Sequence, residues 1–332
     1  MDNLHAVLHQ LEAFGIKLKS KDLDKIHSMG EALHLKSCGA KGKDYLKFSL
    51  FRPDAGGCYV TGYFGTYRHG GSWQKIEHDW APLSEAERDR QKFEREAAAA
   101  RAAVVKAKAK RIAALQASDL WHMASRTGRS PYLERKGLEG EACRYLPDGT
   151  LVLLLLRYDL PREEAVQAAQ RILPTGEKYY TKGFSKPGSA LRLGTVANDT
   201  QLLLVCEGYA TGLTCRLATD RRFPVFVAFD AGNLAHVVPL IRELHPDRWV
   251  LICADDDHLT RDPITEKLNN PGRTAAKAIA KQTPCVDIVY PIFDRTRQAG
   301  DTDFDDLRMR QGLPVVARQL QGVIQMMERV HG

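Results

Sequence analysis

The spacing of apolar residues changes character several times along the chain. Residues 1–37 place apolar side chains at helical spacing, which predicts a helical entry. Residues 45–73 instead alternate aromatic and aliphatic residues with polar ones between paired glycines, the pattern of a small antiparallel sheet. Ser84 and Glu87 then form a capping-box signature before an Ala-, Glu-, Arg- and Lys-rich run to residue 117, which predicts one long helix.

Strand-like and helical segments alternate in the second half of the chain. Residues 126–194 contain short strand-like runs separated by Pro-Asp-Gly and Pro-Thr-Gly turns. From residue 201 onward, apolar runs of strand length alternate with helical segments, which predicts a mostly parallel sheet of about four strands flanked by helices. A final helix is predicted over residues 314–330. The expected fold class is therefore α/β.

These changes of pattern divide the chain into five expected segments. They are a small aromatic-rich N-terminal α+β domain that is a candidate for DNA binding (1–80), a long basic helix or linker (81–125), an α+β subdomain with a basic ridge (126–200), the α/β domain (201–310) and a C-terminal helix (311–332). The basic half of the long helix is interpreted as a phosphate-contacting surface or as a solvated linker, and the linker is favoured because such helices are common.

Length and composition bound the class of protein. The chain has 332 residues with 44% hydrophobic content, enough for globular domains. No apolar stretch approaches the roughly 20 residues that cross a bilayer, and residues 1–5 lack the features of a secretory signal, so we expect a cytoplasmic protein without membrane contact. The seven cysteines include no Cys-x-x-Cys pair, so no zinc site is expected. The net charge of +7 favours a polyanionic partner.

Two of the predicted parallel strands end abruptly in carboxylates. Glu207 follows the first strand, and Asp255, Asp256 and Asp257 follow the third. Ligands bind outside the carboxyl ends of parallel strands, so both acidic groups should meet at one edge of the sheet. Clustered carboxylates repel one another unless a cation neutralises them, and hard oxygen ligands favour Mg²⁺ or Mn²⁺. The pattern predicts a site for metal and phosphate, with Asp256 pointing away or capping the following loop.

This order of acidic motifs resembles the Toprim domain shared by primases, topoisomerases and some nucleases. The marks of that domain are Glu-Gly after the first strand and Asp-x-Asp after the third. Within it, the chain resembles bacterial DnaG-type primases and, still more, the primases of plasmids and phages, which belong to mobile elements. The motifs that carry this resemblance are residues 131–137, 177–179, 186–188, 207–212, 228–234, 254–257, 270–272 and 302–307. The resemblance implies a Toprim catalytic domain over 201–310, preceded by a primase-core subdomain.

The resemblance also implies roles for nine residues and for a metal cofactor. Two Mg²⁺ or Mn²⁺ ions are expected, and Glu207 is additionally expected to accept a proton. The implied catalytic residues and central metal ligands are Glu207, Asp255 and Asp257; the implied outer metal ligands are Asp303 and Asp305; the implied residues for template or nucleotide binding are Lys178, Lys182, Lys186 and Arg192.

The sequence departs from the family pattern in two places. Thr211 stands where DnaG-type primases have an acid four residues after the Glu, so one metal ligand is missing or replaced. The zinc-binding domain that opens cellular primases is not found, and the aromatic segment 45–73 occupies its place. That segment is interpreted either as a platform that stacks the bases of single strands or as an ordinary core sheet.

The expected function is a DNA primase that makes short primers on single-stranded DNA from nucleoside triphosphates. The first alternative is a Toprim nuclease, in which water replaces the sugar hydroxyl at the same acidic site. The second is a non-catalytic single-stranded-DNA-binding adaptor of the replisome, which the replacement by Thr211 favours. No Gly-x-x-x-x-Gly-Lys-Ser/Thr loop is found, so any helicase partner is expected to be a separate chain.

Overall fold

The structure, a computed structural model, describes residues 1–39, 42–53, 56–67, 72–78, 85–261 and 268–331. It divides into two compact units. One unit comprises Met1–Ala102 with Arg261–Leu268, and the other comprises Ala103–Thr260 with Asn269–Gly332.

The first unit packs two helices against one face of an antiparallel sheet. Its elements are α1 (Leu4–Ala13), α2 (Ser20–His27), β1 (Ala32–Cys38), β2 (Asp44–Phe51), β3 (Tyr59–Thr66) and β4 (Ser72–Lys75), with the strand order β1-β2-β3-β4. Leu46, Phe48, Val60 and Phe64 occupy alternate positions of β2 and β3 and are fully buried in one core with residues of both helices. The predicted alternation of apolar and polar residues thus forms a sheet with one covered face.

The first 37 residues do not form a continuous helical entry, contrary to the expectation from their sequence. The helices end at His27, and β1 follows as a strand. Leu33 and Leu35 alternate with polar residues in β1 and pair with β2, so their period of two residues suits a half-buried strand.

The predicted long helix is present as α3 (Glu85–Met123). Its predicted cap, Ser84, lies outside the described residues. The helix is rich in alanine and charged residues, and most of its side chains are exposed. Among the described helices, none combines the length and the apolar character that a membrane span requires.

The second unit contains an antiparallel sheet and a mostly parallel one. The first sheet follows α4 (Pro131–Lys136) and consists of β5 (Cys143–Tyr145), β6 (Leu151–Leu156), β7 (Val166–Ile172) and β8 (Lys178–Tyr180) in that order. The second sheet has the order β13-β12-β10-β11-β9, with β9 (Leu191–Leu193), β10 (Leu202–Cys206), β11 (Val225–Val227), β12 (Trp249–Cys253) and β13 (Val286–Val289). Its helices are α5 (Tyr209–Ala218), α6 (Ala231–Leu244), α7 (Pro271–Gln282), α8 (Phe304–Gln311) and α9 (Leu313–His331).

Helices cover both faces of the second sheet. Strands β10 to β13 are mutually parallel where they pair, whereas β9 joins the β11 edge in the antiparallel direction. Leu203 and Val205 of β10 pack into a core with α6 and α7, and Leu204 and Cys206 pack into another with α5 and α9. This burial on both faces explains why the strands read as continuous apolar runs that stop where the sheet ends.

Helix α5 approaches the sheet closely because Gly212 has no side chain. A Cβ atom at Gly212 would lie 2.9 Å from Cγ2 of Val227 and 3.2 Å from Sγ of Cys206, whereas one at Gly322 in α9 would meet nothing within 4 Å. We predict that Gly212→Ala lowers the free energy of unfolding by about 1–2 kcal/mol, because overpacking outweighs the gain in helix propensity. Gly322→Ala should raise it by up to about 1 kcal/mol. Denaturant unfolding of both variants would measure the difference, and equal effects would contradict the close packing.

Candidate metal and nucleic-acid site

Acidic residues meet at the carboxyl edge of the parallel sheet. Strands β10 and β12 are neighbours and stay paired to their last residues, so Glu207 and Asp255 leave the sheet side by side. Asp257 follows in the same loop as Asp255, and Asp303 comes from the loop that precedes α8. The structure therefore brings together four of the five predicted metal ligands, and each of these four enters the electrostatics of the cluster.

Burial and mutual repulsion raise the pKa of three of these carboxyls. Burial, followed by the charges of Asp257 and Asp230, raises the pKa of Glu207 to about 7. Burial and then the charges of Glu207 and Asp303 raise the pKa of Asp255 well above its ordinary value. The pKa of Asp303 is also raised, mainly by burial. The cluster therefore resists carrying its full negative charge without a cation.

Two oxygen atoms of the cluster are buried without a hydrogen-bond partner. They are Oε1 of Glu207 and Oδ1 of Asp255. A buried acceptor without a donor costs about 1–3 kcal/mol, and more when it is charged. A divalent cation would satisfy both oxygens and remove the repulsion, so these residues fit a metal with hard oxygen ligands. In the described part of the chain, no three His, Cys, Asp or Glu side chains are already grouped closely enough to hold a metal ion.

The segment that begins α7 anchors the loop that carries the aspartates. The side chain of Asn270 accepts a hydrogen bond from the Asp257 backbone at 3.1 Å and donates one to Oδ1 of Asp256 at 2.7 Å. The backbone N–H of Gly272 donates to Oδ2 of Asp257 at 3.1 Å. A Cβ atom at Gly272 would lie 2.5 Å from the carbonyl oxygen of Asp255, so only glycine allows this approach.

Asp256 belongs to an ion-pair network beside the cluster. Arg297 donates to its Oδ2 at 2.7 Å and to its backbone carbonyl at 2.8 Å, and Arg273 contacts its Oδ1 at 3.3 Å. Burial alone would raise the pKa of Asp256, but the hydrogen bonds from Arg297 and Asn270 outweigh it and hold that pKa below its ordinary value. Asp256 therefore anchors the loop through Arg297, Arg273 and Asn270.

Asp303 is held by the start of α8 and by Thr211. It caps α8, because its Oδ1 accepts hydrogen bonds from the backbone of Asp305 at 2.8 Å and of Asp306 at 2.9 Å. Its Oδ2 accepts a hydrogen bond from the hydroxyl of Thr211 at 2.8 Å, and Thr211 is fully buried. Thr211, which stands where an acid was expected, thus orients the carboxylate of Asp303.

Asp305 lies in a different environment from the other four predicted ligands. It is fully buried, and its Oδ2 forms an ion pair with Lys136 of α4. Its Oδ1 accepts hydrogen bonds from Arg308 at 2.8 Å and from Thr214 at 2.9 Å. Both carboxylate oxygens are therefore occupied by side chains of the protein.

Lys186 is linked to the acidic cluster through Asp230. Its Nζ lies 2.5 Å from Oδ2 of Asp230, which caps α6 and whose charge acts on Glu207. The same ammonium group lies 4.6 Å from the ring centroid of Tyr180, and Phe184 stacks on that ring at 5.6 Å. A cation and two aromatic rings thus adjoin the carboxyl edge of the sheet.

The other predicted basic residues differ in position. Lys178 and Lys182 are exposed, in β8 and in the turn after it. Arg192 lies on β9, where its guanidinium packs on the ring of Tyr158 at 5.5 Å and donates to the carbonyl of Gly194 at 3.1 Å. These described contacts of Arg192 are not with the acidic cluster.

The sequence analysis assigned no role to four residues that shape the site. Asp230, Asn270 and Lys136 lie inside motifs that carried the family resemblance, so their positions were marked although their contacts were not. Lys136 and Arg297 act through partners 169 and 41 residues away, and no local pattern indicates such pairs.

Comparisons with solved structures found proteins of low similarity. The primase fragment of the bacteriophage T7 primase-helicase protein is 14% identical, with a TM-score of 0.38 over 60% of this chain and 73% of that one. A DnaG primase catalytic domain bound to single-stranded DNA is 13% identical, with a TM-score of 0.41 over 65% of this chain and 80% of that one. A DNA primase domain from Pseudomonas aeruginosa is 13% identical, with a TM-score of 0.34 over 60% and 64%. At these values the likenesses support no conclusion about function. No protein-family model and no curated protein matches the sequence.

The raised pKa of Glu207 predicts how pH acts on the metal-free protein. The folded chain holds the Glu207 proton up to about pH 7, whereas the ordinary pKa of the side chain is 4.5. The contribution of Glu207 to stability must therefore fall as pH rises between these two values, since the folded state binds this proton more tightly than the unfolded state does. We predict that the unfolding free energy of the parent decreases relative to that of Glu207→Gln across this range. Unfolding in the presence of a chelator would measure it, and a difference that does not vary with pH would contradict the electrostatics described.

Proposed function

We propose that this chain is a DNA primase, a metal-dependent nucleotidyltransferase that makes short primers on single-stranded DNA from nucleoside triphosphates. The observation that carries the proposal is the convergence of Glu207, Asp255, Asp257 and Asp303, two of which keep a buried oxygen without a partner. The resemblance of residues 201–310 to a Toprim domain supports this reaction class, and the basic and aromatic groups beside the cluster suit a nucleotide substrate.

Glu207, Asp255 and Asp257 would hold the metal, with Asp303 beside them. Mg²⁺ or Mn²⁺, when bound, polarises an attacking 3′-hydroxyl and offsets negative charge on the leaving pyrophosphate. The two oxygens that lack donors supply the unsatisfied ligands that this role requires. Glu207 would also accept the proton of the hydroxyl, a role that the resemblance to Toprim enzymes implies for this position.

We assign Asp305 to the support of the site instead of the metal shell. Its ion pair with Lys136 joins α4 to α8, its ion pair with Arg308 lies within α8, and α8 begins at the cap that Asp303 provides. Breaking a buried ion pair costs more than its formation gains, so these side chains are poorly placed to exchange partners for a cation. Asp305 would thus hold Asp303 in position.

Lys186, Lys178 and Lys182 would contact the triphosphate or the template. Lys186 is best placed for the triphosphate, because a phosphate can replace Asp230 as its anionic partner while the ring of Tyr180 still lies beside it. Lys178 and Lys182 are exposed and free to follow a strand of phosphates. The contacts of Arg192 with Tyr158 and Gly194 favour a structural role for that residue.

The proposal is tested by incubating the protein with single-stranded DNA, labelled ribo- and deoxynucleoside triphosphates and Mg²⁺ or Mn²⁺. We expect short labelled products from the parent and a loss of more than about 100-fold in Asp255→Asn plus Asp257→Asn, since removing outer-shell partners alone costs roughly 10–100-fold. Asp199→Asn plus Asp247→Asn, which changes two exposed aspartates, is the matched control.

The outcomes separate the alternatives. Metal-dependent loss of the DNA without products would identify a nuclease. DNA binding with neither activity would favour an adaptor, or a primase that requires a separate helicase or a particular start sequence. The adaptor hypothesis drew its support from Thr211, and the bond from Thr211 to Asp303 gives that residue a role within an acidic site.

The role of Thr211 leads to a second prediction. Thr211→Val keeps the shape of the side chain but removes the donor to Oδ2 of Asp303, whereas Thr211→Ser keeps the hydroxyl. We expect the valine variant to need at least about tenfold more Mg²⁺ for half-maximal incorporation, by analogy with the loss of outer-shell partners. The serine variant should resemble the parent. Equal metal dependence in all three would show that Thr211 does not orient the site.

A further inference from the structure

The aromatic residues of the first unit are divided between two faces of its sheet. Phe48 and Phe64 lie in the core with α1 and α2. On the opposite face, Tyr63, Tyr67 and Trp73 are 37%, 48% and 67% exposed. The sequence left open whether this segment is a core sheet or a stacking platform. Its phenylalanines form the core, and its tyrosines and tryptophan do not.

These three rings and the half-buried ring of Tyr45 form one continuous patch across β2, β3 and β4. The ring of Tyr45 lies 4.8 Å from that of Tyr67 and 6.4 Å from that of Tyr63, and Tyr63 lies 6.1 Å from Trp73. Gly65 lies beneath this patch, where a Cβ atom would come within 2.6 Å of the Tyr45 ring. The glycine therefore allows the Tyr45 ring to lie against the strand.

Basic residues surround the rings. Lys47 and Lys75 pair with Tyr63 from the two neighbouring strands, and Nζ of Lys47 lies 6.0 Å from the Tyr63 ring centroid. His34 and Lys36 continue the same face on β1. Among the outward-facing positions of β1 to β4 that the structure describes, there is no Asp or Glu. This arrangement suits an anionic ligand with flat apolar parts.

A groove of about 1030 Å³ runs along this face within the first unit. Lys47, Tyr63 and Lys75 line it on the sheet side, and Arg90 and Arg95 line it from α3. Its acidic lining residues are Glu31, which pairs with Arg52 at 2.9 Å, and Glu94. Positive groups thus outnumber negative ones along the groove.

We propose that this face binds single-stranded nucleic acid, with bases stacked on Tyr63, Trp73 and Tyr45 and phosphates held by Lys47 and Lys75. Aromatic side chains stack any unpaired base and basic side chains follow the backbone, so such a surface is tolerant of sequence. A duplex hides the faces of its bases and would bind only through phosphate contacts. The inference does not depend on nucleotidyl transfer, because no residue of the acidic cluster takes part.

The experiment measures binding of a labelled oligothymidylate to the full chain by fluorescence anisotropy, in a chelator so that no metal-dependent reaction occurs. We expect Tyr63→Ala plus Trp73→Ala to raise Kd by about tenfold or more, because stacking on one aromatic side chain contributes about 1–3 kcal/mol. Tyr63→Phe plus Trp73→Phe keeps both rings and should bind like the parent. Phe93→Ala, which removes an exposed ring of α3, is the matched control and should leave Kd unchanged.

Two further measurements locate the strand on this face. Lys47→Gln plus Lys75→Gln should reduce the dependence of Kd on salt concentration, because two phosphate contacts are lost. An oligonucleotide with photoreactive iodouracil should form adducts at Tyr63, Trp73 or Tyr45, which peptide mass spectrometry identifies. The positions of the adducts distinguish binding at this aromatic face from binding at the basic residues of the second unit. Unchanged binding by the alanine pair, or adducts confined to the second unit, would overturn the proposal and leave the face to a protein partner.

Discussion

The repulsion among carboxylates at the end of a buried sheet is the constraint on which the second unit depends. Glu207 and Asp255 leave adjacent parallel strands, so the fold itself brings their charges together. Burial strengthens this effect, because desolvation is the largest cause of the raised pKa of both groups. Such an arrangement destabilises the folded state. It is typical of functional sites, where a ligand binds the charged groups that the protein leaves unpaired.

The residues around the cluster hold its loops in place, but their positive charges pair mainly with other carboxylates. Asn270 and Gly272 fix the backbone of the Asp255–Asp257 loop from the start of α7, and Arg297 adds a second anchor through Asp256. The positive charges of Lys136 and Arg308 go to Asp305, behind the cluster. Among the described residues, the basic side chains of this region pair with Asp256 and Asp305, and none forms an ion pair with Glu207 or Asp255.

The sequence predicted the sheet and its acidic edge because both depend on local patterns. Continuous apolar runs indicate strands buried on two faces, and the carboxylates stand where those runs stop. Strand β9 was not predicted, because three residues are too few to show a periodic pattern. Strand β1 was wrongly included in the predicted helical entry. Contacts such as Lys136 with Asp305 join residues far apart in sequence, so only the folded chain reveals them. Likewise, the alternation of side chains along β3 predicts that Tyr63 and Phe64 lie on opposite faces of the sheet. The positions of α1 and α2 decide which of the two faces is covered.

Direct binding of Mn²⁺, followed by electron paramagnetic resonance of the free ion, tests most directly whether the acidic cluster is a metal site. The parent chain should bind Mn²⁺ and release it to excess Mg²⁺, because both ions favour carboxylate oxygens. The variant Glu207→Gln plus Asp255→Asn replaces, with little change of shape, the two carboxylates that each keep one unpartnered oxygen, and it should lose this binding. Equal binding by the parent and the variant, or no binding by the parent, would contradict the assignment of a metal site to the acidic cluster.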